Sequence, residues 1–211
     1  MKAGRKEYLE SKSRQEKLLE ALPLQSGRAV RITGVSPDGD PGKVDWSKAE
    51  VLGNWRSLLK GEPSARRLEA RVLHDGRYLY FRLQEDTNTP AFTGGEEWWQ
   101  LCFGRGRSEP YHDIWVNAQA RHVDVAVGGE SRDWDSGAVV RSNVNSSSNR
   151  WEVLLALPFA KLLPNKAQPG NTLYMNIIRH YPKNAPALAW NPTHTTSCYE
   201  PLRFGELTLD R

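Results

Sequence analysis

The sequence predicts an all-β protein, an antiparallel β-sandwich of the jelly-roll-like type that carries a short N-terminal helix. Three observations support this fold class. After residue 28, apolar residues recur with a period of two in about ten short segments. Gly, Pro, Asp and Asn separate these segments at regular intervals. Helix-forming residues are confined to the N-terminal end and to single turns, an arrangement typical of sandwiches.

The N-terminal segment differs in composition from the rest of the chain. Lys, Glu, Gln, Leu and Ala dominate residues 5–22 and no Gly or Pro interrupts them before Pro23, which predicts a helix. Residues 1–31 contain eight Lys or Arg and four Glu, the whole formal net charge of +4, and the other 180 residues are neutral overall. We therefore predict a helical arm or linker at residues 1–28 and a sandwich domain at residues 29–211.

The strand predictions follow the alternation of apolar and polar residues. Asp75-Gly76 separates two alternating runs and is a strong hairpin signal. Residues 46–49 and 158–163 each predict a single helical turn, and a brief strand is expected near Ala189. The remaining strands are predicted at residues 29–33, 68–74, 77–83, 98–103, 113–118, 122–127, 138–145, 151–157, 173–180 and 206–209.

Length and composition exclude several classes of protein. A chain of 211 residues is long enough to bury a core without metals or disulfides. No run approaches the eighteen apolar residues of a membrane span, and no basic-then-apolar stretch of a secretory signal opens the chain. Nucleic-acid binding is not predicted, because the excess basic charge lies in the arm and not on one face of the fold. Cys102 and Cys198 permit one disulfide, but their apolar neighbours equally favour buried free thiols.

The sequence does not predict an enzyme. Its five histidines lack zinc-site spacing, and it contains neither a Cys-x-x-Cys pair nor a Gly-x-Ser-x-Gly nucleophile turn. No pair of carboxylates is marked for glycoside hydrolysis. Loop aspartates could bind calcium through oxygen, although such residues more often form turns; these are Asp38, Asp40, Asp86 and Asp124. We expect no cofactor, with calcium as the open possibility.

Eight tryptophans are the most informative residues. Trp151 alternates with Val153 and Leu155, which predicts a core position. Trp98 and Trp99 are adjacent on a predicted strand, so they point to opposite faces, one into the core and one outward.

Trp115 is a candidate for an exposed ring. It shares its strand face with Asp113 and Asn117, both polar. Exposed aromatic rings can stack on the CH faces of sugars, while polar side chains bind the hydroxyl groups.

Several segments, taken in order, resemble carbohydrate-binding module family 9 and its relatives. The match covers about residues 30–211, and its closing segments are the most specific part. The matching segments are Asp38-Gly39-Asp40, Trp46-x-x-Ala49, His74-Asp75-Gly76-Arg77-Tyr78-Leu79-Tyr80-Phe81, Trp151-Glu152-Val153-x-x-Ala156-Leu157-Pro158-Phe159, Asn176-Ile177-x-Arg179, Trp190-Asn191-Pro192 and Pro201-x-Arg203-Phe204-Gly205-x-Leu207.

The resemblance implies a β-sandwich that is usually an accessory domain of extracellular polysaccharide-degrading enzymes, some members holding calcium. It leads us to expect a non-catalytic, extracellular or periplasmic module at the C-terminal end of a larger protein. Its partners would be an oligosaccharide or polysaccharide and a catalytic neighbour, with no nucleic acid and no membrane. One alternative is a structural sandwich that packs on a catalytic neighbour without binding sugar. A haem-binding sandwich is a third, although Met175 lies in an apolar strand and indicates packing.

The family site clamps a terminal sugar between two tryptophans, with polar residues on the hydroxyls. At matching positions, Gln100 replaces a glutamate, Trp115 replaces an arginine and Asn117 is retained. One clamp position is Cys198, followed by Tyr199, while Trp98 is displaced from the other clamp position at residues 93–95. Trp190 matches a family tryptophan that is structural. The resemblance thus implies Trp98, Trp115 and Tyr199 as stacking rings and Gln100 and Asn117 as hydroxyl partners.

Overall fold

The computed structural model describes residues 10, 12, 13, 17, 22–35, 37–86, 97–128, 133–162, 168–182 and 185–211, and these are mostly β. The strands are β1 (Ser26–Arg31), β2 (Glu50–Leu52), β3 (Arg56–Ser57), β4 (Leu68–His74), β5 (Tyr78–Asp86), β6 (Trp98–Gly104), β7 (Tyr111–Asn117), β8 (His122–Val127), β9 (Val139–Asn145), β10 (Arg150–Pro158), β11 (Thr172–His180), β12 (Leu188–Ala189) and β13 (Gly205–Leu209). Helix α1 is Phe159–Leu162, and single 3-10 turns occupy Pro41–Lys43, Trp46–Lys48 and Pro201–Arg203.

The predicted elements correspond closely to these bounds. Strands β4 and β8 have the predicted limits, and the other predicted strands differ by at most three residues at an end. The helical turns predicted at 46–49 and 158–163 are confirmed as the 3-10 turn Trp46–Lys48 and as α1. Strands β2 and β3 were not predicted, because three and two residues are too few to show an alternating pattern. The helix predicted at 5–22 lies largely outside the described residues.

The strands form one continuous sheet, and β1 joins its two halves, which we call layer 1 and layer 2. Layer 1 has the order β8-β7-β6-β11-β13 and layer 2 the order β4-β5-β10-β9. Neighbours within each layer are antiparallel, and β5 pairs with β10 over nine residues from Tyr78 to Asp86. Short strands β12 and β3 extend layer 1, and β2 pairs with β4 in layer 2.

Strand β1 corrects the prediction of a wholly antiparallel arrangement. Its first four residues, from Ser26, pair in parallel with β13, and Val30 and Arg31 pair in parallel with the end of β4. One strand thus passes from layer 1 to layer 2 and couples them through backbone hydrogen bonds. The domain limit predicted after Arg28 falls inside this strand.

The hydrophobic core lies between the layers. Trp99 of layer 1 packs on Trp151 of layer 2 with ring centroids 6.0 Å apart, and Phe103 packs on Phe81 at 5.8 Å. Trp151 and Met175 are fully buried in this core, which confirms the packing roles expected of them. Full burial of such aromatic side chains removes 150–250 Å² each from water and is a main source of the fold's stability.

A buried ion-pair network connects the layers at one end of the core. The guanidinium of Arg179, on β11, donates a 2.7 Å hydrogen bond to Glu85 on β5 and another hydrogen bond to Glu97. It also lies over the rings of Trp151 and Tyr181, 4.6 and 4.3 Å from their centroids. Because its partners come from both layers, Arg179 fixes the position of the end of β11.

A second hydrophobic cluster lies on the outer face of layer 1, opposite the core. Loops before β12 and after it cover part of this face. The cluster's buried members are Leu58, Cys102, Tyr111, Ile178, Ala189 and Phe204. Polar and aromatic side chains occupy the rest of this outer face. Among the described residues, no helix has the length and apolar character needed to cross a membrane.

Candidate functional site

The structure places four of the five predicted site residues on the outer face of layer 1. On the β6–β7 ladder, Trp98 is opposite Asn117 and Gln100 is opposite Trp115. Since alternate residues of a strand share a face, these side chains point away from the core. Trp99 points inward and is fully buried, which confirms the predicted opposition of Trp98 and Trp99.

A histidine that was not predicted to be functional completes this face. His180, the last residue of β11, is opposite Trp98 on the β11–β6 ladder. Its imidazole stacks on the indole of Trp115, with ring centroids 4.6 Å apart and planes inclined by 25°. His180 and Trp115 lie on strands that both pair with β6, and only this pairing brings them together. The local sequence around His180 shows only a histidine on the same strand face as Ile178, which does not indicate a site.

Gln100 lies fully buried among the groups of this face. Its Nε2 donates to Asp113 Oδ2 at 3.0 Å, and its Oε1 is 2.8 Å from His180 Nε2. Because Oε1 can only accept, His180 Nε2 carries the proton in this arrangement. Both ends of the Gln100 amide are therefore engaged within the protein, and the side chain supports the imidazole from beneath.

Burial shifts the titration of both acid–base groups in this chain of hydrogen bonds. Desolvation raises the pKa of Asp113 to about 6, against the hydrogen bonds from Cys102 and Gln100 that favour the charged form. Desolvation, with the nearby Arg179 charge, lowers the pKa of His180 to about 4. At neutral pH the site therefore holds an anionic Asp113 and a neutral imidazole.

Asn117 stabilises the β7–β8 turn through its side chain. Its Oδ1 accepts hydrogen bonds from the backbone N–H groups of Gln119 (3.1 Å) and Arg121 (3.0 Å). The side chain is almost fully buried. These bonds hold a turn in which Ala120 adopts a φ of 59°.

Tyr199, the fifth predicted residue, is 45 % exposed and follows Cys198. Cys198 lies against Gln100 and Asp113. Both cysteines are free thiols, Cys102 buried and Cys198 half-buried. Burial raises the pKa of Cys198 to about 11 and that of Tyr199 to about 12, so both are neutral at physiological pH.

A groove of about 610 Å³ opens beside His180, in the volume range of small-molecule sites. We call it the His180 groove. Three chain segments and the end of β11 form it, and its lining is mostly apolar with a few hydroxyl and charged groups. Its lining residues are Ser57, Leu58, Leu59, Lys60, Glu62, His180, Pro186, Ala187, Thr195, Thr196 and Cys198.

The aspartates considered for calcium already have partners in the protein. Asp40 bonds Arg141 at 2.7 Å, Asp86 bonds Arg150 at 3.1 Å, and Asp124 accepts from the backbone and hydroxyl of Ser136. In the part of the chain that the structure describes, no three His, Cys, Asp or Glu side chains cluster in a way that could hold a metal ion.

Comparison with solved structures identifies proteins of the same architecture. A family 9 carbohydrate-binding module from Caldicellulosiruptor kristjanssonii in complex with glucose superposes with a TM-score of 0.60 at 12 % identity, over 89 % of this chain and 97 % of that one. The family 9 module in complex with cellotriose superposes with a TM-score of 0.60 at 13 % identity, over 88 % of this chain and 94 % of that one. A protein from Bacteroides uniformis proposed to bind carbohydrate superposes with a TM-score of 0.62 at 16 % identity, over 88 % of this chain and 98 % of that one.

Sequence comparisons give a different result. No family model and no curated protein matches the chain. At 12–16 % identity, the likeness to solved structures concerns the course of the backbone and not the residues of the site. The chain therefore has the fold of the family 9 carbohydrate-binding module structures, as its sequence segments suggested.

Proposed function

We propose that this protein is a non-catalytic carbohydrate-binding module that takes an oligosaccharide in the His180 groove. The observation that supports it most is the position of this groove beside the Trp115–His180 stack, on the fold of modules whose structures contain glucose and cellotriose. The edge of this stacked pair and the His180 ring can contact sugar CH groups. Hydroxyl, ammonium and carboxylate groups in the lining can bind sugar hydroxyls.

The structure changes the roles that we assign to the predicted residues. Trp115 and Tyr199 remain the proposed ring contacts, and half-buried Trp98 is a further one at the edge of the same face. Gln100 and Asn117 are buried and bonded within the protein, so their proposed contribution is to shape the site. The proposed hydroxyl partners are instead His180, Thr196, Lys60 and Glu62, which line the groove.

The wider setting is part of the same proposal. We propose a jelly-roll-like sandwich that serves as the accessory domain of a larger, exported polysaccharide-degrading protein, with calcium as its possible ion. Of the carboxylates described at the site, Asp113 is buried and Glu62 lines the groove. A glycosidase needs two carboxyl groups that reach the glycosidic bond, so a single accessible one supports a binding role over hydrolysis.

Calorimetric titration tests the proposal. The full chain would be titrated with glucose and with cello-, xylo- and manno-oligosaccharides. A shallow site with few hydrogen bonds should give a Kd of about 1 mM, equivalent to about −4 kcal/mol. Absence of heat with every sugar, in a folded sample, would contradict the proposal and favour a sandwich that only packs on a neighbour.

A matched pair of variants locates the site. Trp115→Leu removes the ring beneath His180, whereas Trp134→Leu removes a similar ring that stacks on His112 with centroids 4.0 Å apart, away from the groove. We expect Trp115→Leu to weaken binding about 10-fold, because His180 loses the ring that holds its plane in the groove, and Trp134→Leu to leave binding unchanged.

A further inference from the structure

A chain of hydrogen bonds from Asp113 through Gln100 ends at the imidazole of His180. We infer that Asp113 and Gln100 act as positioning residues that hold His180 in its Nε2–H tautomer, so that Nδ1 is presented as a hydrogen-bond acceptor for a ligand hydroxyl. The ligand part of this inference rests on the proposed function. The part about the tautomer concerns the free protein and stands independently.

Asp113 is the first group of this hydrogen-bond chain. This carboxylate is fully buried, and at neutral pH it can only accept hydrogen bonds. Its Oδ2 accepts from Gln100 Nε2 at 3.0 Å, while in the described chain Oδ1 has no hydrogen-bond partner. The buried charge thus has two donors, the amide of Gln100 and the weaker thiol of Cys102.

This dependence fixes the orientation of the Gln100 amide. If the amide turned over, its oxygen would face the carboxylate and leave a buried charge with only the weak thiol donor of Cys102, which is strongly unfavourable. The NH₂ group therefore points to Asp113 and Oε1 points to His180. An amide placed between two donor-and-acceptor groups would have no such preference.

The orientation of the amide in turn selects the tautomer. Gln100 Oε1 lies 2.8 Å from His180 Nε2 and can only accept, so Nε2 carries the hydrogen. The neutral ring then has an unprotonated Nδ1. Among the described residues no group donates to Nδ1, and His180 lines the groove. The stack on Trp115 keeps the ring plane in place.

Nuclear magnetic resonance of the full chain tests the tautomer without any ligand. Long-range ¹H–¹⁵N correlation spectra of ¹⁵N-histidine-labelled protein at pH 7.5 should show His180 as the Nε2–H form alone. Asp113→Asn offers both a donor and an acceptor to Gln100, so both amide orientations become possible and His180 should show a mixture of tautomers. Asp124→Asn removes a carboxylate on β8 that bonds Ser136, and it should leave His180 unchanged.

Two outcomes would overturn the inference. One is a wild-type His180 that is already mixed or carries its hydrogen on Nδ1. The other is a pure Nε2–H tautomer in Asp113→Asn. Because these spectra need no sugar, they decide the positioning role even if no oligosaccharide binds and the proposed function fails.

Two substitutions at His180 test the ligand contact. His180→Gln places an amide nitrogen near the position of Nε2 and keeps the bond to Gln100, but has no acceptor at the Nδ1 position. His180→Asn places an amide oxygen near the position of Nδ1 as an acceptor, but it loses the bond to Gln100. The titration uses the cello-oligosaccharide that binds wild type best. His180→Gln should weaken binding about 10-fold, because one hydrogen bond to the ligand is lost, and His180→Asn should weaken it less. Equal loss, or the opposite order, would contradict a ligand contact at Nδ1.

Discussion

His180 and Trp115 stack face to face across an intervening strand, with ring centroids 4.6 Å apart. Trp115 lies on β7, His180 on β11, and between them β6 contributes Gln100 beneath the stack. One face of the indole is therefore already covered by the imidazole. A ligand in the groove meets the edge of this pair and His180 itself, which differs from two open rings that clamp a sugar.

Asp113 should make stability depend on pH in a definite direction. Its pKa is raised by burial from 3.8 to about 6, so the folded state holds its proton more tightly than the unfolded state. The stabilising effect of the neutral form is complete below about pH 4 and is lost as pH rises through 6. This difference in pKa corresponds to about 3 kcal/mol in the free energy of unfolding.

Asp113→Asn isolates this effect. We expect the variant to gain in free energy of unfolding relative to wild type between pH 4 and 7, by up to about 3 kcal/mol. Burial raises the pKa values of four nearby groups, which stay neutral in this range: Cys102, Cys198, Tyr111 and Tyr199. His180, whose pKa is about 4, is present in both proteins. Urea unfolding at a series of pH values measures the difference. A difference that does not change with pH would show that Asp113 is not desolvated.

Arg179 should be essential for stability. Its replacement by Met leaves the buried carboxylates of Glu85 and Glu97 without their shared partner, at a cost of about 3–5 kcal/mol. Arg150→Met removes a solvent-exposed ion pair with Asp86 and should cost less than about 1 kcal/mol. Chemical denaturation of both variants compares the two positions. Similar losses would mean that the Arg179 network is not buried in solution.

Gly205 should tolerate no side chain. A Cβ at this position would overlap the backbone oxygen of Gln25 and lie 2.5 Å from Asn191 Nδ2. We expect Gly205→Ala to destabilise the protein by about 2 kcal/mol or more, as other overpacked positions do. Gly53→Ala meets no atom within 4 Å and should be nearly neutral. Thermal melting of the pair measures the difference, and equal melting temperatures would contradict this packing.

The thiols should react slowly. Because burial raises the pKa of Cys198 from 9.0 to about 11, its thiolate fraction at pH 8 falls about 100-fold and alkylation should slow by a similar factor. Cys102, fully buried, should react only after unfolding. Mass spectrometry after timed iodoacetamide exposure separates the two sites. Rapid labelling of Cys102 in the folded protein would contradict its burial.

Much of the fold could be predicted from the sequence because strand positions depend on local alternation. The hairpin at Asp75-Gly76, the core position of Trp151 and the opposition of Trp98 and Trp99 all follow from a period of two and from turn chemistry. The parallel pairing of β1 could not be predicted, since β13 and β4 lie far from it in the sequence and alternation does not encode strand direction.

The site was less accessible to sequence reasoning for the same reason. Trp115, Asp113 and Asn117 could be assigned to one face, because they alternate along one strand. Gln100 was assigned to the site only through the family resemblance. His180 and Thr196 come from distant segments and approach the site only in the folded chain. The burial of Gln100 and its two hydrogen bonds also depend on these distant partners, so a buried supporting residue could not be told from an exposed ligand contact.

The central claim is that a sugar binds in the groove beside His180. The most direct measurement is a titration of the ¹⁵N-labelled chain with cellotriose, followed by chemical-shift changes of the backbone and of the tryptophan indole groups. We expect saturable changes at Trp115, His180, Thr196 and Tyr199, and none at Trp134. No saturable change at any concentration up to several times the expected Kd, or changes confined to layer 2, would contradict the account.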